Sequence, residues 1–240
     1  MDVTESVALV TGANRGIGKA IAEELLARGA AKVYAGVRDV ASVSDARLTP
    51  VALDVTRPER FAELAAELSD LTIIVNNAGI ARPASPLQAD LNAARAELET
   101  NYLSLIASTQ AFAPVLGANG GGAFVNVLSA VSWVALPHLA TYSASKSAAW
   151  AFTNAARIEL KSQGTQVVGV HVGYVDTDLT AALDVDKVPA RQVATAALDA
   201  LEAGGAEALA DDFSRFVKSS LHDDLGLIYP GIEAQLTGIA

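Results

Sequence analysis

Five consecutive residues, Tyr142-Ser143-Ala144-Ser145-Lys146, follow a serine, Ser129, that lies thirteen positions upstream. A phenol, an ammonium and a second hydroxyl in one neighbourhood provide a proton donor, a cation to tune it and a group to share the load on an oxygen. That set suits carbonyl chemistry. The stretch TYSASKSAAWAFTNAARIEL carries apolar residues on one helical face, so Tyr142 and Lys146 fall one turn apart on the same side. A free phenol titrates near pH ~10, and a neighbouring ammonium favours its anion. The expectation is therefore a tyrosine whose pKa is lowered toward neutrality. Y-x-x-x-K is also ordinary helix surface, so the pair gains meaning only from the elements that position it.

The first such element is Val7-Ala8-Leu9-Val10, an apolar run that ends in TGANRGIG, Thr11 to Gly18, before a helical pattern from Lys19 to Arg28. Strand, glycine turn and helix in that order make a phosphate cradle: Gly12 allows the turn, and Gly16 and Gly18 let backbone approach phosphate and helix approach strand. The spacing is G-x-x-x-G-x-G and not G-x-G-x-x-G. A second strand, Ala31 to Val37, follows Gly29 and ends in Arg38-Asp39. An acidic residue at that strand end accepts the ribose hydroxyls of NAD, whereas an arginine pairs with the 2′-phosphate of NADP. Arg38 comes first, so NADP(H) is the expected cofactor, with Arg15 as a second positive charge. Two readings stay open: both arginines are solvated surface charges, or Asp39 serves the ribose.

Alternating strands and helices predict an α/β fold, a single-domain Rossmann-type doubly wound parallel sheet of about seven strands over residues 1–240, with helices on both faces. Strands are expected at 6–11, 32–37, 50–54, 71–75, 123–128, 166–172 and 206–210. One long helix is expected over much of Leu91 to Leu116. This helix and the one after Tyr142 carry alanine and apolar residues on more than one face, which suits burial against a second subunit.

Taken together these residues resemble the short-chain dehydrogenase/reductase family, from about Ser6 to about Thr180. TGANRGIG resembles its cofactor turn, with Gly12, Asn14, Arg15, Gly16, Ile17 and Gly18 as the implied contacts. Asp54-Val55 resembles its adenine contact, and Asn76-Asn77-Ala78-Gly79 the turn after its fourth strand. The resemblance implies a tetrad of Asn101, Ser129, Tyr142 and Lys146: Tyr142 the acid/base, Ser129 on the substrate oxygen, Lys146 on the nicotinamide ribose while lowering the phenol pKa, and Asn101 holding a water that links Lys146 to solvent. His171-Val172-Gly173-Tyr174-Val175-Asp176-Thr177 is similar to a P-G-x-V-x-T stretch in which Val175 and Thr177 meet the nicotinamide amide. Val172 replaces the proline, which puts the order of that turn in question. The resemblance further implies a homotetramer, and with Arg38 at the strand end the reading is an NADP-dependent reductase of ketones or aldehydes. An NAD-linked alcohol or sugar dehydrogenase and a non-catalytic cofactor sensor are the alternatives.

Composition limits the other classes. At 240 residues and 51% hydrophobic the chain can bury one substantial core, and a net charge of −10 argues against a nucleic-acid surface. Without cysteine it has neither disulfides nor thiolate metal sites. His138, His171 and His222 are scattered without ligand spacing, so no metal is expected. No membrane span or leader pattern is read, and a soluble, cytoplasmic protein is expected. Ser129 lacks a G-x-S-x-G elbow, and no carboxylate pair is placed as a glycosidase needs. The substrate walls are expected from Trp133, Leu136 and Leu139, between the two catalytic hydroxyls, and from Leu179 and Leu183 after Thr177. They favour a hydrophobic ketone over a polyol. The alternative for Trp133 is simple packing under the sheet.

Overall fold

The computed structural model describes residues 1–237, and their side chains through residue 232. Seven strands form one parallel sheet: β1 (Val7–Thr11), β2 (Lys32–Val37), β3 (Thr49–Ala52), β4 (Ile73–Asn76), β5 (Gly122–Val127), β6 (Thr165–His171) and β9 (Glu207–Leu209), in the order β3-β2-β1-β4-β5-β6-β9. All seven expected strands are present, offset by up to two residues at their ends. The order reverses between β1 and β4, so in such a doubly wound sheet the ligand crevice opens at the carboxyl ends of these two strands.

Period-two alternation splits the core. Ala8 and Val10 of β1 face the helices α1 (Gly16–Ala27) and α6 (Ala190–Glu202), packing with Ile21, Leu25 and Leu198. Leu9 faces the other way, onto α2 (Pro58–Glu67), where it meets Phe61 and Leu64. Strands covered on both faces read as continuous apolar runs, which is why Val7 to Val10 shows no alternation in sequence. Each fully buried Leu, Ile or Phe contributes about 1.5–3 kcal/mol by leaving water. Phe61 and Phe112 add an edge-to-face contact at 6.2 Å.

The expected long helix is interrupted. Helix α3 (Leu91–Leu98) passes through a five-residue π-helical stretch, Glu99–Leu103, before α4 (Ser104–Ala118) resumes. A π turn inserts a residue without ending the helix, so the apolar pattern gives little sign of it. Two short strands that the sequence did not suggest, β7 (Val175–Asp176) and β8 (Val188–Pro189), pair beside the cleft. The chain is completed by α5 (Ala140–Glu159), α7 (Asp212–Ser220) and α8 (Leu225–Thr237). Among the described residues no helix is long and apolar enough to cross a membrane.

Candidate active site

At the carboxyl edge of the sheet a cleft of about 680 Å³ runs from the β1–α1 turn to the start of α5. Gly12 sits in its floor with φ +67°, a left-handed conformation that a side chain would strain. Asn14, Arg15, Gly16 and Ile17 continue the wall. Gly18 does not reach the cleft. A Cβ there would come within 2.4 Å of the Gly12 carbonyl oxygen and of Asn77 Nδ2, so this glycine serves the close approach of helix and strand. Helix α1 starts without a capping side chain, which leaves its first-turn N–H groups for a ligand at the cleft.

The turn is tied to β4 through Thr11. Its Oγ1 accepts from the backbone N–H groups of Asn77 and Ala78, each at 3.0 Å, while Asn77 Nδ2 donates to the Thr11 carbonyl at 2.8 Å. Asn77, Ala78 and Gly79 all line the cleft, as do Val55, Arg38 and Asp39. Asp54 does not. Its carboxylate turns to Thr56, accepting from the backbone N–H at 3.1 Å and the hydroxyl at 2.8 Å. Asp39 accepts from Ala41 N–H as the cap of a short turn, which leaves Arg38 with the more available charge at the strand end. Arg15, expected to join Arg38, instead pairs with Asp178 at 2.8 Å across the mouth; both side chains are exposed, so the pair holds weakly.

At the other end Ser129, Tyr142 and Lys146 meet the cleft together. Ser129 caps a short turn, Ala130–Ser132; its hydroxyl accepts from Val131 N–H and donates to the Val172 carbonyl at 3.2 Å. The replaced proline position is thus held from both sides, since Asp211 also accepts from Gly173 N–H at 2.7 Å. The Lys146 ammonium, buried, donates to the Val127 carbonyl at 2.8 Å and lies 5.8 Å from the Tyr142 ring centre. Burial pulls its pKa down to about 8. Tyr142 departs from expectation: its pKa is pushed up to about 12 by burial, opposed by a hydrogen bond with Ser129 and reinforced by the buried Glu97 carboxylate. Desolvation disfavours both charged forms, and for the phenol it outweighs the expected pull of the ammonium.

Asn101 stands behind the cleft wall, within the π stretch. Its Oδ1 accepts from Ile80 N–H, and its Nδ2 donates to the Ile80 carbonyl and to Ser145 Oγ, all at 2.9 Å. Asn101 and Lys146 both line a small cavity of about 10 Å³, with Asn76 and Asn126 among its other walls, at the lower end of the space one water needs.

Leu136, Leu139, Leu179 and Leu183 line the cleft, and so do Val175 and Thr177. Trp133 does not. Its ring stacks on buried His171 at 3.8 Å between centres, with Lys218 over it at 4.7 Å. A flat indole gains more from a flat imidazole beneath it than from an open wall. Sequence reasoning missed Arg82, His138, Tyr174 and Phe213, which also line the cleft, and the buried Glu97. Arg82 lies three residues past Gly79, and Tyr174 sits between motif positions, so both were within reach of the pattern. Nothing local marks Phe213.

The family model described as short chain dehydrogenase matches residues 6–187. A cis-4-hydroxycyclohexanecarboxylate dehydrogenase from Sinomonas cyclohexanicum is 38% identical over 194 residues, covering 76% of this chain and 78% of its own. A 3-oxoacyl-acyl-carrier-protein reductase from Salmonella typhimurium is 30% identical, over 95% of this chain and 99% of its own. Among solved structures, a short chain dehydrogenase from Burkholderia cenocepacia in complex with NADP superposes with a TM-score of 0.92 at 40% identity, covering 97% of this chain and 99% of that one. The chain therefore belongs to the short-chain dehydrogenase/reductase family of oxidoreductases.

Proposed function

We propose that this oxidoreductase is an NADPH-dependent carbonyl reductase, interconverting a ketone or aldehyde with a hydrophobic body and its alcohol. The carrying observation is that Ser129, Tyr142 and Lys146 share one cleft with the uncapped start of α1 and with Arg38. The residues present fit a phosphorylated dinucleotide. Free N–H groups of a helix's first turn suit its pyrophosphate, and Arg38 suits the 2′-phosphate. When bound, the cofactor supplies or takes up the hydride.

The rest falls to the chain's own residues. Tyr142, protonated across the physiological range at a pKa of about 12, donates to the carbonyl oxygen, and Ser129 Oγ steadies the charge that develops there. Lys146 stabilises the resulting phenolate and holds the nicotinamide ribose. The small cavity beside Asn101 gives a water its place for returning a proton. Leu136, Leu139, Leu179 and Leu183 keep water from the reacting carbon and favour an apolar substituent. We further propose a homo-oligomer, because Leu91, Leu98 and Leu103 on α3 and its continuation, with Ile158 on α5, are exposed large apolar side chains.

One observation favours a second reading. Asp39 also lines the cleft, and a carboxylate there serves an NAD-linked alcohol dehydrogenase. The test is to follow reduced-cofactor absorbance with NADPH and NADH against aryl ketones, aldehydes and small sugars. Reduction of apolar ketones with NADPH is expected. Preference for NADH and sugars replaces the proposal with the second reading. Tight NADPH binding with no turnover of any member of the panel makes the chain a cofactor sensor.

A further inference from the structure

The loop after Gly79 is held more firmly than a surface loop requires. Asn101 binds both the N–H and the carbonyl of Ile80, and Glu97, fully buried, accepts from Arg82 N–H at 2.6 Å. Two residues on, Ala84 N–H donates to the His138 carbonyl at 3.0 Å, and Ala84 bridges to Leu139, which stitches this loop to the segment before α5. Such bracing fixes what the loop presents.

What it presents is Arg82, an exposed residue that lines the same cleft. Among the described residues its guanidinium has no carboxylate partner; its one hydrogen bond there is the backbone donation to Glu97. From the stitched segment His138 lines the cleft too, and the Tyr174 hydroxyl lies 3.5 Å from His138 Nε2. Burial raises the Tyr174 pKa, which keeps that hydroxyl a donor. Of the other charges at the cleft, Asp178 pairs with Arg15, Lys146 donates to the Val127 carbonyl, and Arg38 and Asp39 follow the end of β2. Leu136, Leu139 and Leu183 line the same cleft as these polar groups and Tyr142. In a chain of net charge −10, an unpaired arginine braced at the edge of an apolar cleft is a local reversal of sign.

We propose that Arg82, with His138 and Tyr174, forms an anion-binding rim, and that the substrate is an apolar oxo or hydroxy compound carrying a carboxylate away from the reacting carbon. The inference rests on the reading of Tyr142 and Ser129 as the reducing end and adds the other end of the substrate. A planar guanidinium takes a carboxylate through two parallel hydrogen bonds, which a neutral ester cannot reproduce in strength.

The test compares 4-acetylbenzoate with its methyl ester, the same ketone with and without the anion, in wild type and Arg82→Gln. Wild type should prefer the acid in kcat/KM by about tenfold or more, the scale of one charge-assisted contact. Arg82→Gln should lose that preference through a raised KM for the acid while its activity on the ester holds. Equal kcat/KM for acid and ester in wild type, or a variant that loses both substrates alike, overturns the rim. Should neither ketone be reduced, the panel of ketones, aldehydes and sugars above judges the reductase reading on its own. Calorimetric titration of 4-acetylbenzoate into the NADP-loaded proteins then decides the rim separately: binding lost in Arg82→Gln supports it, and binding equal in both, or absent from wild type, overturns it.

Discussion

Tyr142 is where the residue scale bears most directly on function. A phenol pushed up to about 12 holds its proton at neutral pH but is a weaker acid than a free phenol, so the buried ammonium matters most as the proton leaves and phenolate charge develops. Tyr142→Phe removes the donor without adding volume. Turnover should fall by about 10² or more with NADPH affinity nearly intact, the usual scale for losing a positioned acid. Retention of half the wild-type rate on a confirmed substrate would falsify the assignment. On the proposed function, Arg38 selects the cofactor. Arg38→Ala should weaken NADPH by about one to two decades and NADH little, because only NADPH carries the 2′-phosphate. Fluorescence titration of both cofactors checks it, and equal losses would move recognition to Asp39. Arg15 should contribute less, since its guanidinium must first leave Asp178.

The elements behind Ser129 form a stack that no motif announced. His171, at the end of β6, directs Nδ1 at the Ser129 carbonyl at 3.1 Å, so that nitrogen carries the hydrogen and donates. Trp133 covers the ring. Burial drops the His171 pKa from 6.5 to about 4. A depressed folded pKa means that its stabilising share is whole above pH 6.5 and is lost as pH falls toward 4, because the unfolded chain takes the proton first. The loss amounts to about 3 kcal/mol. Urea midpoints measured from pH 7 to pH 4 should fall over that window in wild type, and His171→Gln should flatten the fall; parallel curves would clear His171. Trp133→Ala should cost about 3 kcal/mol as a large side chain leaves a packed site, yet leave the preference for aryl ketones over sugars unchanged. A changed preference would return Trp133 to the substrate wall. Here the limits of the sequence are physical. Val7 to Val10, the glycine turn and the Tyr142–Lys146 spacing are local patterns, and each folds as read. The fate of Trp133 was set by a ring contributed from β6, the bridge from Asn101 in the π stretch to Ile80 joins residues twenty-one apart, and the rise in the Tyr142 pKa comes from burial that only the closed fold creates.

On the scale of the whole molecule the unresolved demand is the outer face of α3, its π-helical continuation and α5. Leu91 and Leu98 lie seven residues apart on α3, at 69% and 38% exposure, Leu103 follows at 42%, and Ile158 on α5 stands at 79%. Single exposed leucines are normal, but several large apolar side chains exposed on two helices that pack against each other are the kind of surface a partner covers. A two-fold interface lets one such patch cover its own copy, and about 800 Å² per subunit suffices for a stable contact. The charge of −10 per chain opposes association, though salt at physiological strength screens it beyond about 8 Å. Light scattering at micromolar concentration should therefore give a multiple of 24.7 kDa that shrinks as salt is withdrawn. The double variant Leu98→Lys, Leu103→Lys should give the single-chain mass with an unchanged circular dichroism spectrum, because neither side chain belongs to the buried core. A single-chain mass for wild type, or an assembly indifferent to both lysines, would place this face in water, leaving α3 and α5 to hold the cleft from one subunit alone.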